Sequence, residues 1–149
     1  MQETKDKLRL KDQLCFPIYL CAKELTRKYS ELLEEYNLTY TQYIVMMYFW
    51  EIRSSNVKEV SETLMLDPST LTPLLKKLEA KGYLRRERSS ADERNLSITL
   101  TEDGTALEEK VLRVHEKMCA SIGIGSDEGK QLYELICRIL TNLNRQQEE

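Results

Sequence analysis

The sequence predicts a mainly helical α+β fold for this chain of 149 residues. Three observations between residues 57 and 100 carry that expectation. First, two short helical patterns stand back to back. Val57, Val60 and Leu64 share one face of the first, and Leu71, Leu74, Leu75 and Leu78 share one face of the second. Second, two strand patterns follow, Tyr83 to Arg88 and the alternating Leu96-Ser97-Ile98-Thr99-Leu100, joined by the charged turn from Ser89 to Asn95. Third, the solvent side of the second helix is unusual. A solvated face normally alternates Glu and Lys, whereas here Ser69, Thr70, Thr72 and Pro73 are followed by Lys76, Lys77 and Lys81. Small hydroxyls in front and lysines behind suit a helix whose leading end meets base edges while its far end meets phosphate. A helix–turn–helix with a basic-tipped hairpin is a winged helix. A charged hairpin on an ordinary domain would explain the wing alone, but not the helix pair, the small-residue face and the basic tip together.

The boundaries have their own chemistry. Met65-Leu66-Asp67 ends in a good N-cap residue, and Pro68 suits the first helical position. The second helix therefore runs from Pro68 to Ala80, with Gly82 where a C-terminal glycine belongs. In chain order, residues 1–11 are polar. A first helix spans about Asp12 to Glu35, with Leu14, Ile18, Cys21, Leu25 and Leu32 as its buried stripe, widened by Ala22, Tyr29 and Leu33. Proline is tolerated only where its missing N–H would be unpaired. Pro17 therefore puts the start near Asp12 to Leu14 and Cys15 in the first turn, with a bend just after the cysteine. A second helix covers about Thr41 to Arg53, with Tyr43, Ile44, Met46, Met47 and Trp50 in the core, and Ser54-Ser55-Asn56 is a turn. After the hairpin, a long helix starts at Thr101-Glu102-Asp103-Gly104 with acidic residues where the dipole favours them. Its apolar face is Ala106, Leu107, Val111, Val114, Met118 and Ile122. A last helix, about Asp127 to Asn144, buries Leu132, Leu135, Ile136, Ile139, Leu140 and Leu143.

Composition narrows the classes. The net charge is −3, yet Lys76 to Arg94 holds seven Lys or Arg against four Asp or Glu, so an acidic body carries a basic edge. The first twelve residues are charged throughout, and no run approaches about 18 apolar residues, so neither a signal peptide nor a membrane span is expected. The expected location is the cytoplasm, where Cys15, Cys21, Cys119 and Cys137 rest as thiols. Their spacings form no CxxC pair and there is one histidine, His115, expected at the surface or in the core. No metal or cofactor is expected. No Ser-His-Asp set and no phosphate loop appears, and no enzyme is expected.

At LDPSTLTPLLKKLEAKGYLRR and the wing residues Asp92-Glu93-Arg94 the chain resembles the MarR family of winged-helix repressors. LCFPIY and LTYTQY resemble its OhrR-type subgroup, which senses organic hydroperoxides or other oxidants through one cysteine. Pro17 departs from that subgroup's pattern. The resemblance implies a single domain over 1–149, with a winged-helix region at 39–101 and helices at 12–36 and 102–146 that intertwine into a homodimer. Such a dimer presents two recognition helices to palindromic double-stranded DNA.

The candidate sites follow. A thiol in the first turn of a helix meets the positive end of the dipole, which favours the thiolate that a hydroperoxide oxidises to sulfenic acid. Cys15 is that thiol, and Tyr19 lies one turn along on the same face. The alternative is a cysteine acting as a small core hydrophobe, and that is the reading for Cys21 and Cys137. The resemblance implies that Tyr29 and Tyr40 hydrogen-bond the sensing cysteine from the partner subunit. It also implies that Cys119 resolves oxidised Cys15 as an intersubunit disulfide, the other route being a small thiol. For DNA, Ser69, Thr70, Thr72 and Lys76 belong to the major groove or its flanking phosphates. Arg94, braced by Asp92, belongs to the minor groove by resemblance, and Arg85, Arg86 and Arg88 to phosphate, although strand alternation prevents all three from pointing one way. Two other functions remain open at this point. A regulator gated by a small phenolic or anionic ligand would release DNA under full reduction. A thiol peroxidase would leave the winged helix without a purpose.

Overall fold

The computed structural model describes residues 8–88 and 96–145. Its packing divides the chain into two compact units, Met1–Val114 and His115–Glu149, the division falling inside a long helix. Among the described residues there are six α-helices, α1 (Cys15–Leu33), α2 (Tyr40–Ile52), α3 (Val57–Leu64), α4 (Pro68–Ala80), α5 (Glu102–Ile122) and α6 (Ser126–Arg145). Three strands, β1 (Ser54–Asn56), β2 (Leu84–Arg88) and β3 (Leu96–Leu100), form an antiparallel sheet in the order β1-β3-β2. The mainly helical winged helix–turn–helix is therefore present, and α3 and α4 have the expected bounds.

Local chemistry explains most ends. The Thr39 hydroxyl accepts from the Gln42 N–H at 3.2 Å, and the Gln42 side chain accepts from the Thr39 N–H at 3.2 Å, a reciprocal cap that opens α2. The Asn56 side chain caps α3 through the Glu59 N–H at 2.9 Å. Past α4, Gly82 has φ 80°, and the Gly82 and Tyr83 N–H groups return to the Glu79 and Leu78 carbonyls, the left-handed closure that glycine permits. Asp67, expected to cap α4 with its carboxylate, makes no side-chain cap; its carbonyl accepts from the Thr70 and Leu71 N–H groups instead. α1 begins at Cys15, so Pro17 falls in the first turn, where its missing N–H interrupts no intrahelical bond.

One core serves the first unit. Leu33, Val45, Met46, Phe49, Val60, Leu71, Leu75, Leu78, Leu84 and Ile98 are fully enclosed, joined by Leu107, Val111 and Val114 of α5. The Trp50 indole N–H donates to the Gly104 carbonyl at 2.8 Å. Thr101 Oγ1 donates toward the Gly82 carbonyl and accepts from the Gly104 N–H, tying the start of α5 to the end of α4.

Several expectations need correction. Residues 54–56 are not a plain turn: Ser55 pairs with Ile98 across β1 and β3, a pairing that depends on a distant strand. In α2, Val45 and Phe49 are buried while Met47 is exposed. YIVMMYFW is apolar all round, so its period does not say which side faces inward. Along α1 only Leu33 is buried; Leu14 is 67% exposed, and Ile18 and Cys21 are exposed too. Cys21 is therefore not a core residue of the single chain. Ala106 and Ile122 of α5 and the leucine stripe of α6 are also exposed, and α6 has no buried residue.

Candidate nucleic-acid interface and thiol site

α4 divides cleanly into two faces. Leu71, Leu75 and Leu78 are buried, so helical spacing turns Ser69, Thr72, Pro73 and Lys76 to the opposite side, with Thr70 and Lys77 at its edge. Ser69, Thr70 and Lys76 are exposed and Thr72 is half-buried. Pro73 is inside the helix and cannot donate to the Ser69 carbonyl, so that carbonyl stays on the exposed face without its helical partner. The turn before α4 is held by Met65 at φ 53° and by the Ser61 hydroxyl, which donates to the Leu66 carbonyl at 2.6 Å. At the other end the Lys81 ammonium donates to the Asn37 carbonyl and, at 3.1 Å, to Gln42 Oε1. These are uncharged oxygens, and burial, with Lys77 nearby, pushes the Lys81 ammonium below its ordinary value.

On the wing, the three arginines separate. Arg86 is half-buried and committed within the chain, its Nε donating to Glu79 Oε2 at 2.7 Å. That hydrogen bond holds the Glu79 carboxyl below the usual glutamate range. Arg86 therefore braces β2 against α4. Arg85 is exposed and lies 3.3 Å from the Glu87 carboxylate, and Arg88 is exposed. Asp92 and Arg94 lie outside the described residues. Glu79, missed in the sequence, stands seven residues before Arg86, a spacing that reads as nothing until helix and strand are packed.

Cys15 is the first residue of α1, exposed, with no carboxylate in the first turn to offset the dipole. Tyr19, one turn along, is 63% exposed. Tyr29 and Tyr40 are stacked, with ring centroids 4.3 Å apart and planes 11° from parallel, and Tyr43 and Trp50 continue the aromatic row. Burial pushes the Tyr40 phenol above its ordinary value, so it remains a proton donor. Cys15 and Tyr29 are fourteen positions apart on one helix, about 21 Å along its axis. The chain's own Tyr29 therefore cannot bond its own Cys15. Cys119 is exposed on α5, with its sulfur 3.5 Å from His115 Nε2. Cys137 is half-buried on α6, one turn after Tyr133.

Comparison with known proteins places this geometry. Residues 27–111 match the family model for the transcriptional regulator SarA/Rot. The organic hydroperoxide resistance transcriptional regulator of Bacillus subtilis is 38% identical over 96% of this chain and 95% of its own length. The crystal structure of AbfR of Staphylococcus epidermidis superposes with a TM-score of 0.79 at 33% identity, over 95% of this chain and 98% of that one. AbfR has also been solved reduced and bound to DNA (TM-score 0.75, 31% identity, 96% and 99% covered) and with a disulfide formed (0.66, 30%, 93% and 98%). On these likenesses this chain belongs to the MarR-type winged-helix transcriptional regulators, in the group of the organic hydroperoxide resistance regulator and SarA/Rot.

Proposed function

We propose that this chain is a cytoplasmic homodimeric repressor that binds a palindromic operator when reduced and releases it when an organic hydroperoxide oxidises Cys15. The observation that carries the reading is the position of Cys15, exposed at the first residue of α1 in a chain whose α4 has an exposed Ser/Thr/Lys face. In the reduced dimer each α4 enters a major groove, with Ser69, Thr70, Thr72 and Lys76 toward bases and nearby phosphates. Arg85 and Arg88 contact phosphate, and Arg94, with Asp92, reaches the minor groove. The half-sites lie about one helical turn apart, roughly 34–36 Å.

The Cys15 thiolate attacks the peroxide, its sulfur taking one oxygen and the leaving alkoxide taking a proton, to give sulfenic acid and an alcohol. Tyr19 from the same chain and Tyr29 and Tyr40 from the partner hold the sulfur. The roughly 21 Å between Cys15 and Tyr29 within one chain supports the partner as their source. Cys119 then closes a disulfide, and the altered α1 respaces the two α4 helices. Each oxidation ends in a changed regulator, so the chain acts stoichiometrically and not as a peroxidase. That AbfR is known both reduced on DNA and with a disulfide formed supports this order of states.

The test is a gel shift on operator DNA before and after cumene hydroperoxide, for the native chain and Cys15→Ser. Peroxide is expected to release the native chain and leave Cys15→Ser bound. Release of both, or of neither, would overturn oxidation at Cys15 as the signal.

A further inference from the structure

The single histidine of the chain stands on one of its four cysteines. His115 and Cys119 are four residues apart on α5, one above the other, both exposed, with Sγ 3.5 Å from Nε2. The other cysteines differ. Cys137 stands one turn after the Tyr133 phenol, a poor acceptor for a thiol proton near neutral pH, and Cys15 and Cys21 lie on α1, far along the sequence from any imidazole. A cysteine beside an imidazole is the usual arrangement by which a thiol is activated as a nucleophile.

We propose that His115 and Cys119 form a thiol–imidazole pair in which His115 is the positioning and proton-carrying residue for closing the regulatory disulfide. The proposal rests on the redox reading above and names the group that drives its second step. Cys15 carries a sulfenic acid left by the hydroperoxide. The imidazole takes the Cys119 proton as the Cys119 sulfur attacks the Cys15 sulfur. The S–S bond forms, the S–O bond breaks, and the leaving hydroxide takes the proton from the imidazolium to become water. One thiol and one sulfenic acid become one disulfide and one water, with no further oxidant. Cys119, rather than Cys21 or Cys137, is thereby selected by its neighbour.

The test uses the full-length reduced chain with Cys21→Ser and Cys137→Ser, leaving Cys15 and Cys119 as the only thiols. After one equivalent of cumene hydroperoxide, a dimedone-type trap with mass spectrometry follows sulfenic acid at Cys15, and a nonreducing gel follows disulfide against time. His115→Gln is expected to form sulfenic acid at the native rate and close the disulfide roughly ten- to a hundredfold more slowly. His115→Ala should be as slow and recover with added imidazole, a rescue that lost packing would not show. Native closure by His115→Gln, or sulfenic acid that persists beside a free Cys119 in the native chain, overturns the pair. A failure of the redox reading looks different, with no sulfenic acid at Cys15 at all, and it removes the step that His115 serves. Alkylation of Cys119 by iodoacetamide in a chain that also carries Cys15→Ser keeps the pair testable by itself. His115→Gln should slow it severalfold, and equal rates overturn the pair whatever Cys15 does.

Discussion

Glu79 and Arg86 show how one ion pair ties the wing to the helix before it. The Arg86 guanidinium is held by Glu79 on α4, so its positive charge positions the wing. Arg86→Ala and Glu79→Gln are accordingly expected to lower the melting temperature by roughly 2–4 °C, which thermal denaturation reads directly. The pH dependence follows from the direction of the shift. A carboxyl held below its ordinary range in the folded chain adds stability that is present above that range and lost as pH falls through the depressed value. The difference between native and Glu79→Gln should thus be full at neutral pH and vanish in acid, from about pH 4.3 downward. Gly104 is a second residue with a specific demand. A Cβ there would lie 2.3 Å from the Tyr83 carbonyl oxygen and 2.7 Å from Leu100 Cδ1, so the close approach of α5 to the strand admits no side chain. Gly104→Ala is expected to cost about 2 kcal/mol in denaturant unfolding, with the wing displaced.

Among the elements, α4 and its supports decide how its Ser/Thr/Lys face is presented. Its buried leucines, Pro68 at the front and the Gly82 closure behind are all local features, and all were visible in the residues. The anchoring of its far end is not local. Lys81 reaches the Asn37 carbonyl and Gln42, so α4 is tied to the α1–α2 connection through the reciprocal cap of α2. Thr39→Ala removes half of that cap and should destabilise the chain by about 1 kcal/mol, measurable by urea unfolding. In α1 the same logic separates two features along one helix. Its first residue carries the thiol, and its far end carries Tyr29 stacked on Tyr40, about 21 Å away.

For the whole molecule, the unburied stripes are the main feature. Leu132, Leu135, Ile136, Leu140 and Leu143 of α6, Ile18 of α1 and Leu14 just before it are all exposed in the single chain. Apolar surface repeated at helical spacing along both termini is what a second copy would cover. Leu135→Asp with Leu140→Asp should convert the dimer to monomer by sedimentation and abolish operator binding, because two half-sites need two helices at a set distance.

The residues alone determined the element types and most of their bounds, because helical and alternating apolar periods, proline, glycine and caps act within a few positions. They also marked the Ser/Thr/Lys face of α4 and placed Cys15 at a helix start, both consequences of spacing along one helix. Tertiary structure alone decided which arginine is spent on Glu79, that Ser54–Asn56 is a strand, which side of the apolar α2 faces inward, and that α1 and α6 leave their stripes exposed. Each of these depends on groups far apart in the chain, and a local period does not state what a face will pack against. The His115–Cys119 contact stands between the two: a spacing of four was readable in the residues, but only the folded helix shows the imidazole turned toward the sulfur.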